Sequence, residues 1–250
     1  MQIVAVPMLN DNYGYLIHEG GTTVAVDPTE AHPMQTELSA HGWKLDAVLN
    51  THHHWDHVGG NPELRQAYRC PVYVPRGDES RVAGATDTMV GGERLQIGKL
   101  VIDVLFIPGH TQHHVALWLS EHGAVFTGDT LFLRGCGRLF EGTAEQMWES
   151  LRLLASLPDS TRVYCGHEYT EANAKFAAHL TPDDAFVVAD YKVIQEKRRR
   201  GEKTIPGTIA QEKALNPFLR LADTEYRNRL FPNQDAVQAF AALRKRKDDF

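Results

Sequence analysis

The sequence predicts an α/β chain in two parts, strand-rich through about residue 166 and helical beyond it. Short apolar runs separated by turn residues fill the first part, and helix-length segments opened by capping residues fill the second. Strands first and helices last argue for two units with a break at 166–168. A third observation ties the strands to one place: four of them run into residues able to hold a metal ion.

In order, residues 2–6, 13–19 and 22–27 read as strands, with Asn10-Asp11-Asn12 and Gly20-Gly21 as the turns between them. Residues 33–41 read as a helix stopped by Gly42. Residues 45–49 form an apolar strand that feeds the stretch 51–60, THHHWDHVGG. Asn61 as N-cap and Pro62 at the first helical position start a helix through Ala67. Strands are expected at 72–74, 94–97, 101–107, 115–119 and 124–127. Thr143 and Gln146 make a capping box for a helix to Ser156, and 162–165 is one more strand. Thr170 is expected to cap a helix to His179, and 181–184 to open a longer one ending near Arg200-Gly201. Residues 203–213 read as an irregular linker, Asn216-Pro217-Phe218 as a turn and 235–247 as a closing amphipathic helix.

Composition narrows the function classes. Of 250 residues 42% are hydrophobic, enough for a sizeable core, and no window approaches 18 apolar residues, so a membrane-spanning helix is not expected. The apolar start MQIVAVPML lacks a basic n-region and a cleavage site and alternates like a strand, which points to a cytoplasmic protein. Three cysteines, Cys70, Cys136 and Cys165, include no C-x-x-C pair and imply no disulfide framework. The net charge is −6, yet residues 1–165 carry 11 Lys and Arg against 19 Asp and Glu while 166–250 carry 15 against 13. That excess is too weak for a nucleic-acid surface. A small anionic ligand needs only a few placed cations, which the basic clusters 197–200 and 244–247 can supply.

The stretch 51–57 packs four histidines and an aspartate into seven residues. His52 and His54, two apart, can point the same way, while Asp56 and His57 continue round the bend toward a second point. So many donors so close in sequence suit two ions better than one. Three further strands end in Gly followed by a metal-capable residue: FIPGH with His110, VFTGD with Asp129 and VYCGH with His167. Glycine there lets the backbone turn sharply and approach a site closely. Imidazole and carboxylate donors without a thiolate suit zinc, iron or manganese, with zinc placed first. His53, Asp27 and Thr51 are expected to orient the ligands, although His53 has an equal reading as a solvent-facing residue. His18, His32, His41, His122 and His179 read as surface residues, and neither His113 nor His114 is assigned to metal.

These motifs resemble the metallo-β-lactamase superfamily, and along its whole length the chain is similar to the glyoxalase II (hydroxyacylglutathione hydrolase) family. The narrower match rests on CGRLFEGT (136–143), GHEYT (166–170), Asn216-Pro217-Phe218 and LRKRKDDF (243–250). The resemblance implies an αββα sandwich over 1–167, binding metal and catalysing, followed by a smaller helical substrate-binding domain over 168–250. It implies two divalent ions per chain. His52, His54 and His110 would hold one, Asp56, His57 and His167 the other, and Asp129 would bridge. It also carries glutathione contacts over to Arg138, Phe140, Tyr169, Arg244 and Lys247. Arg138 stands where lysine is frequent and Phe140 where tyrosine is frequent, so one phenolic hydrogen bond is missing. Phe140 has a packing reading, and Lys247 a solvated-charge reading.

The implied reaction is hydrolysis of S-(2-hydroxyacyl)glutathione, S-D-lactoylglutathione above all, to glutathione and a 2-hydroxy acid such as D-lactate, the second step of methylglyoxal detoxification. Asp56 would orient the attacking water. A monomer acting on a small-molecule thioester, with no nucleic acid or membrane partner, is expected. The alternatives on this sequence are a mononuclear-iron glutathione persulfide dioxygenase on the same fold, which would lack a full helical tail, a metal-dependent ribonuclease, and a non-catalytic metal scaffold.

Overall fold

The computed structural model describes residues 1–250, which form two compact units. The first comprises Met1–Phe106 with His113–Gly128. Its first sheet takes β1 (Gln2–Met8), β2 (Asn12–Glu19), β3 (Thr22–Val26), β4 (Ala47–Leu49), β5 (Val72–Pro75) and β6 (Asp87–Met89) in sequence order. β1, β2 and β3 pair antiparallel as a meander; β3 through β6 run parallel, with helices in two of the crossovers. Those helices are α1 (Ala31–His41), the four-residue α2 (Trp55–Val58) and α3 (Asn61–Tyr68).

Side-chain alternation on β2 sorts two faces of this sheet. Leu16 joins Met34, Leu38 and Leu64 of the helices with Val48 and Val72 in one apolar cluster. Tyr15 points the other way and meets Phe126 edge-on at a ring separation of 5.0 Å. Phe126 belongs to an antiparallel meander of β7 (Arg94–Ile97), β8 (Leu100–Phe106), β9 (Val115–Leu119) and β10 (Ala124–Gly128). The first unit is therefore a helix layer on one sheet with a second sheet facing it. β3 and β4 are buried at every position, as strands covered on both faces must be.

The second unit comprises Ile107–Gln112 with Asp129–Phe250. It opens with a small hairpin of β11 (Leu131–Phe132) and β12 (Gly135–Cys136). α4 (Ala144–Ala155), β13 (Arg162–Cys165), α5 (Thr170–Leu180) and α6 (Ala185–Arg199) follow, then β14 (Gly207–Thr208), which pairs antiparallel with β13. α7 (Ile209–Leu215), a 3-10 turn at Leu219–Ala222, α8 (Thr224–Leu230) and α9 (Ala236–Asp248) complete it. Phe240 of α9 packs against Trp148 of α4 and Phe218, at ring separations of 6.3 and 5.7 Å.

A buried polar network anchors the hairpin. Arg134, left-handed at φ 62° in the turn, pairs with the fully buried Glu212 of α7 and with Asp190 of α6. Asn216 donates to the carbonyls of Phe132 and Gly135 at 3.3 and 3.0 Å and to Glu212 at 3.0 Å.

Most expected elements form, and the departures have local causes. The 143–146 capping box opens α4 as expected, with both of its bonds present. The N-cap of α3 is Gly60, not Asn61, whose side chain instead donates to Asn50 at 2.7 Å. Likewise Tyr169 occupies the N-cap of α5, and Thr170 shares a hydrogen bond with Thr204 at 2.6 Å. The stretch 203–213 is no irregular linker: it holds β14 and most of α7, opened by a Thr208–Gln211 capping box. α1 starts two residues before Pro33, and β6, β11, β12, α2 and α8 were not expected.

Candidate metal centre and substrate cavity

In the first unit, β4 leads through Asn50 and Thr51 into the donors. His54 occupies the N-cap of α2, so Asp56 and His57 sit in a short helix where a plain turn was expected. The Nε2 of His52 faces Nδ1 of His54 at 3.1 Å, and Nε2 of His57 lies 3.7 Å from Asp56 Oδ2. The rings of His52 and His57 are 4.2 Å apart. His52 and His57 are buried; His54 and Asp56 keep partial exposure.

The hydrogen bonds behind these rings settle which nitrogen faces the site. Asp27, 2% exposed, accepts from Thr51 N–H at 2.7 Å and from the Thr51 hydroxyl at 2.6 Å. A hydroxyl that donates to Asp27 has lone pairs left, so it accepts from His52 Nδ1 at 3.0 Å. Asp27 also accepts from His57 Nδ1 at 3.1 Å. Both imidazoles thus spend their proton on Nδ1 and carry their lone pair on Nε2, the arrangement that prepares a histidine for a cation. Asp27 lies close enough to His52 and His57 to join a donor triad, but three hydrogen bonds already occupy its carboxylate, which makes it an orienting partner. Asn12 is a partner that motif reading missed: its amide donates to both the backbone and the carboxylate of Asp56 at 3.0 Å.

Behind the donor turn, the buried Asp78 accepts from Nδ1 of His53 at 3.3 Å and of His113 at 3.1 Å. Burial alone would push its carboxyl up; the two imidazole bonds outweigh it and hold the group below the ordinary aspartate value. His53 is therefore buried on a carboxylate, and its solvent-facing reading is set aside.

In the second unit, one oxygen of Asp129 faces two imidazoles. Its Oδ2 lies 3.5 Å from His110 Nε2 and 3.3 Å from His167 Nε2. Nδ1 of His110 donates to the Arg138 carbonyl at 2.9 Å, which again places the lone pair on Nε2. Gly109 before it sits at φ 145°, and a Cβ there would fall 2.7 Å from Met147 of α4, so only glycine lets this loop press so closely.

The same unit encloses a cavity of about 420 Å³ that reaches His110 and Asp129. All five residues carried over as glutathione contacts line it: Arg138, Phe140, Tyr169, Arg244 and Lys247. Arg244 is the buried cation, 6% exposed, with its guanidinium donating to the Cys136 carbonyl at 2.8 Å and to Asp248 at 3.0 Å. Arg138 sits at the rim with its side chain 67% exposed. The Lys247 ammonium lies 5.2 and 5.5 Å from the ring centres of Phe176 and Phe250, so it is more than a solvated charge. Burial, with Arg244 and Arg138 nearby, lowers its pKa. Tyr169 stacks on His167 at 4.6 Å, and Phe140 meets His110 edge-on at 5.1 Å. The thiol of Cys136 in the wall is pushed up to about 11 by burial, hence inert. Asn173 lines the cavity too and donates to the Leu133 carbonyl at 3.2 Å, a residue no motif indicated.

The donor set fits a divalent cation: imidazoles and carboxylates with no thiolate among them, of which His52, His57, His110 and Asp56 are oriented by hydrogen bonds to Thr51, Asp27, the Arg138 carbonyl and Asn12. A metallo-beta-lactamase superfamily model matches residues 10–167, and a model of the hydroxyacylglutathione hydrolase C-terminus matches 168–250. The chain is similar to a hydroxyacylglutathione hydrolase of Methylococcus capsulatus, 48% identical over 253 aligned positions that span 100% of this chain and 99% of the other. Among solved structures it is similar to ETHE1 from Myxococcus xanthus, at TM-score 0.68 and 26% identity over 99% of this chain and 98% of that one. It is also similar to TTHA1623 in a di-iron-bound form, at TM-score 0.64 and 27% identity over 88% and 100% of the two chains.

Proposed function

The chain belongs to the hydroxyacylglutathione hydrolase family of metallo-β-lactamase-fold enzymes and is a thioester hydrolase; we propose that two metal ions per chain serve its reaction. On the family's pattern, His52, His54 and His110 would hold one ion and Asp56, His57 and His167 the other, with Asp129 as the donor they would share. The observation that carries this is the hydrogen bond by which Nδ1 of His52, His57 and His110 each donates to an oxygen, which places the imidazole lone pair on Nε2. Zinc is placed first, and iron and manganese also accept this donor set.

The substrate is S-D-lactoylglutathione or a close 2-hydroxyacyl relative, hydrolysed to glutathione and the 2-hydroxy acid. Arg244 and Lys247 bind its carboxylates inside the cavity and Arg138 binds at the rim, while Tyr169 and Phe140 supply the aromatic wall. Held there, the thioester carbonyl is directed toward the Asp129 and His110 end. When bound, such ions lower the pKa of a water and polarise the carbonyl. Asp56, steadied by Asn12, orients that water. The departing thiolate has a parent pKa of about 8.5 and leaves without a strong general acid.

Residues 1–167 then serve as the metal-binding catalytic domain and 168–250 as the substrate-binding domain, the division at which the two family matches meet. The match of the full helical tail weighs against the persulfide dioxygenase alternative, which expects no such tail. No helix is long and apolar enough to cross a membrane. A cytoplasmic location is proposed, where the three buried cysteines, joined by no disulfide, stay reduced. The chain is proposed to act as a monomer.

Metal analysis beside a turnover assay on S-D-lactoylglutathione tests the proposal. Two ions per chain and chelator-sensitive, metal-restored hydrolysis are expected. One ion with oxygen consumption, or hydrolysis indifferent to complete metal removal, would overturn it.

A further inference from the structure

Three histidines not assigned as ligands lie by the donor turn of the first unit: His53, His113 and His114. His53 stands between two ligands and is buried, and His113 is the next residue to reach the same carboxylate. Asp78 has no exposure, and a carboxylate so placed must be met by donors. It accepts only, so both imidazoles donate to it through Nδ1, one to each oxygen. Its backbone is fixed as well: Asp78 N–H donates to the Pro75 carbonyl at 3.0 Å, and Arg81 N–H donates to the Asp78 carbonyl at 2.9 Å, closing a turn at the end of β5. Gly77 sits at φ 102°, and a Cβ there would fall 2.6 Å from the His113 ring, so that ring rests directly on the glycine backbone. His114, buried beside it, stacks on the His52 ring at 4.6 Å and 17°.

The need for such support follows from the donors themselves. Nitrogens of His52 and His54 stand 3.1 Å apart. At that distance they share a proton or repel, whereas a cation requires a lone pair on each. Their separation must therefore be imposed by what surrounds the turn, and His53, the residue that joins them, is where the surroundings take hold.

We propose that Asp78 is a positioning residue of the metal centre: through His53, and with His113 as its second tie, it fixes the turn that offers His52 and His54 and so sets metal affinity. The inference rests on the metal-dependent reading above. Orienting partners of this kind change metal affinity by about 10–100-fold when removed.

Zinc affinity is measured by chelator competition on the full-length wild type, Asp78→Asn, His53→Ala and the double variant, with KM for S-D-lactoylglutathione at saturating zinc. Each single variant is expected to bind zinc about ten-fold or more weakly, with KM within two-fold of wild type because the substrate cavity is untouched. The double variant should fall no further than the weaker single, since both act through one bond. Should Asp78→Asn fail to fold, His113→Asn alters a side chain 41% exposed and must still weaken zinc binding a few-fold. Wild-type zinc affinity in Asp78→Asn, or in His113→Asn where only that variant folds, overturns the proposal, as do additive losses in the double variant. A wild type that binds no zinc, iron or manganese defeats the metal reading itself.

Discussion

Replacing Arg244 by alanine separates binding from chemistry in the cavity. Its guanidinium is 6% exposed, so the cost of stripping its water was met when the chain folded. Two nitrogens are committed, one to the Cys136 carbonyl and one to Asp248, and the whole group lies over the Phe218 ring at 5.2 Å. A carboxylate entering the cavity meets a cation already desolvated and fixed. A hydrogen bond to such a charge contributes about 1.5–3 kcal/mol, which at roughly 1.4 kcal/mol per decade is about 10–150-fold in KM. Arg138 provides the internal contrast: with its side chain 67% exposed, its pairing is worth about 0.2–1 kcal/mol, roughly 1.5- to 5-fold. The assay is steady-state hydrolysis of S-D-lactoylglutathione at fixed metal loading. Arg244→Ala should raise KM by that larger factor with kcat within a few-fold, the signature of lost uniform binding. Arg244→Lys keeps the charge but loses the fork, so an intermediate KM is expected. Equal falls in kcat and kcat/KM with KM unchanged would refute the reasoning, and so would a larger KM effect from Arg138→Ala.

Three more outcomes follow from the same geometry. Asp129→Ala removes the oxygen that faces both His110 and His167, and elemental analysis should find metal lost from the purified protein; full retention of both ions would refute a bridging role. Lys247 has its pKa lowered by burial and by Arg244 and Arg138, and the substrate carboxylate needs the ammonium form. KM should therefore be lowest below that pKa and rise as pH climbs through it, short of the usual lysine range. Lys247→Arg should abolish the rise, and a wild-type KM flat across alkaline pH would count against the contact. Arg134→Met leaves Glu212 buried without its main cation, and breaking one side of such a pair costs about 3–5 kcal/mol. Urea denaturation should show the loss, and a change below about 1 kcal/mol would mean that the network does not anchor the hairpin.

The donors were legible because chemistry and chain position coincide at them. A strand end followed by H-x-H-x-D-H, and three Gly-ligand pairs, can be read locally; so can the capping box that opens α4. What orients the donors was only partly legible. Thr51 adjoins His52, and Asp27 was an expected partner, yet Asp27 reaches Thr51 across 24 positions and Asn12 reaches Asp56 across 44. Nothing within one window of sequence couples such pairs, since the sheet brings β2, β3 and β4 side by side. Asp78 lies 25 positions from His53 and 35 from His113, and its one local sign was a Gly-Asp pair like many surface turns.

The helical part failed differently. Thr208 and Gln211 repeat the T-x-x-Q spacing of Thr143 and Gln146, yet the helix they open is only seven residues long, too short to carry a clear periodicity in the sequence. So short a helix is marginal on propensity alone. It persists because Glu212 reaches 78 positions back to Arg134, and Asn216 reaches 81 and 84 positions back to the carbonyls of the β11–β12 hairpin. That hairpin carries Cys136, whose carbonyl holds the Arg244 guanidinium. The short helix that local reading missed is thus two buried contacts from the cation on which substrate affinity is argued to depend. Weakening Arg134–Glu212 should for that reason raise KM alongside the loss of stability, whereas a purely global destabilisation would leave the KM of the folded fraction unchanged.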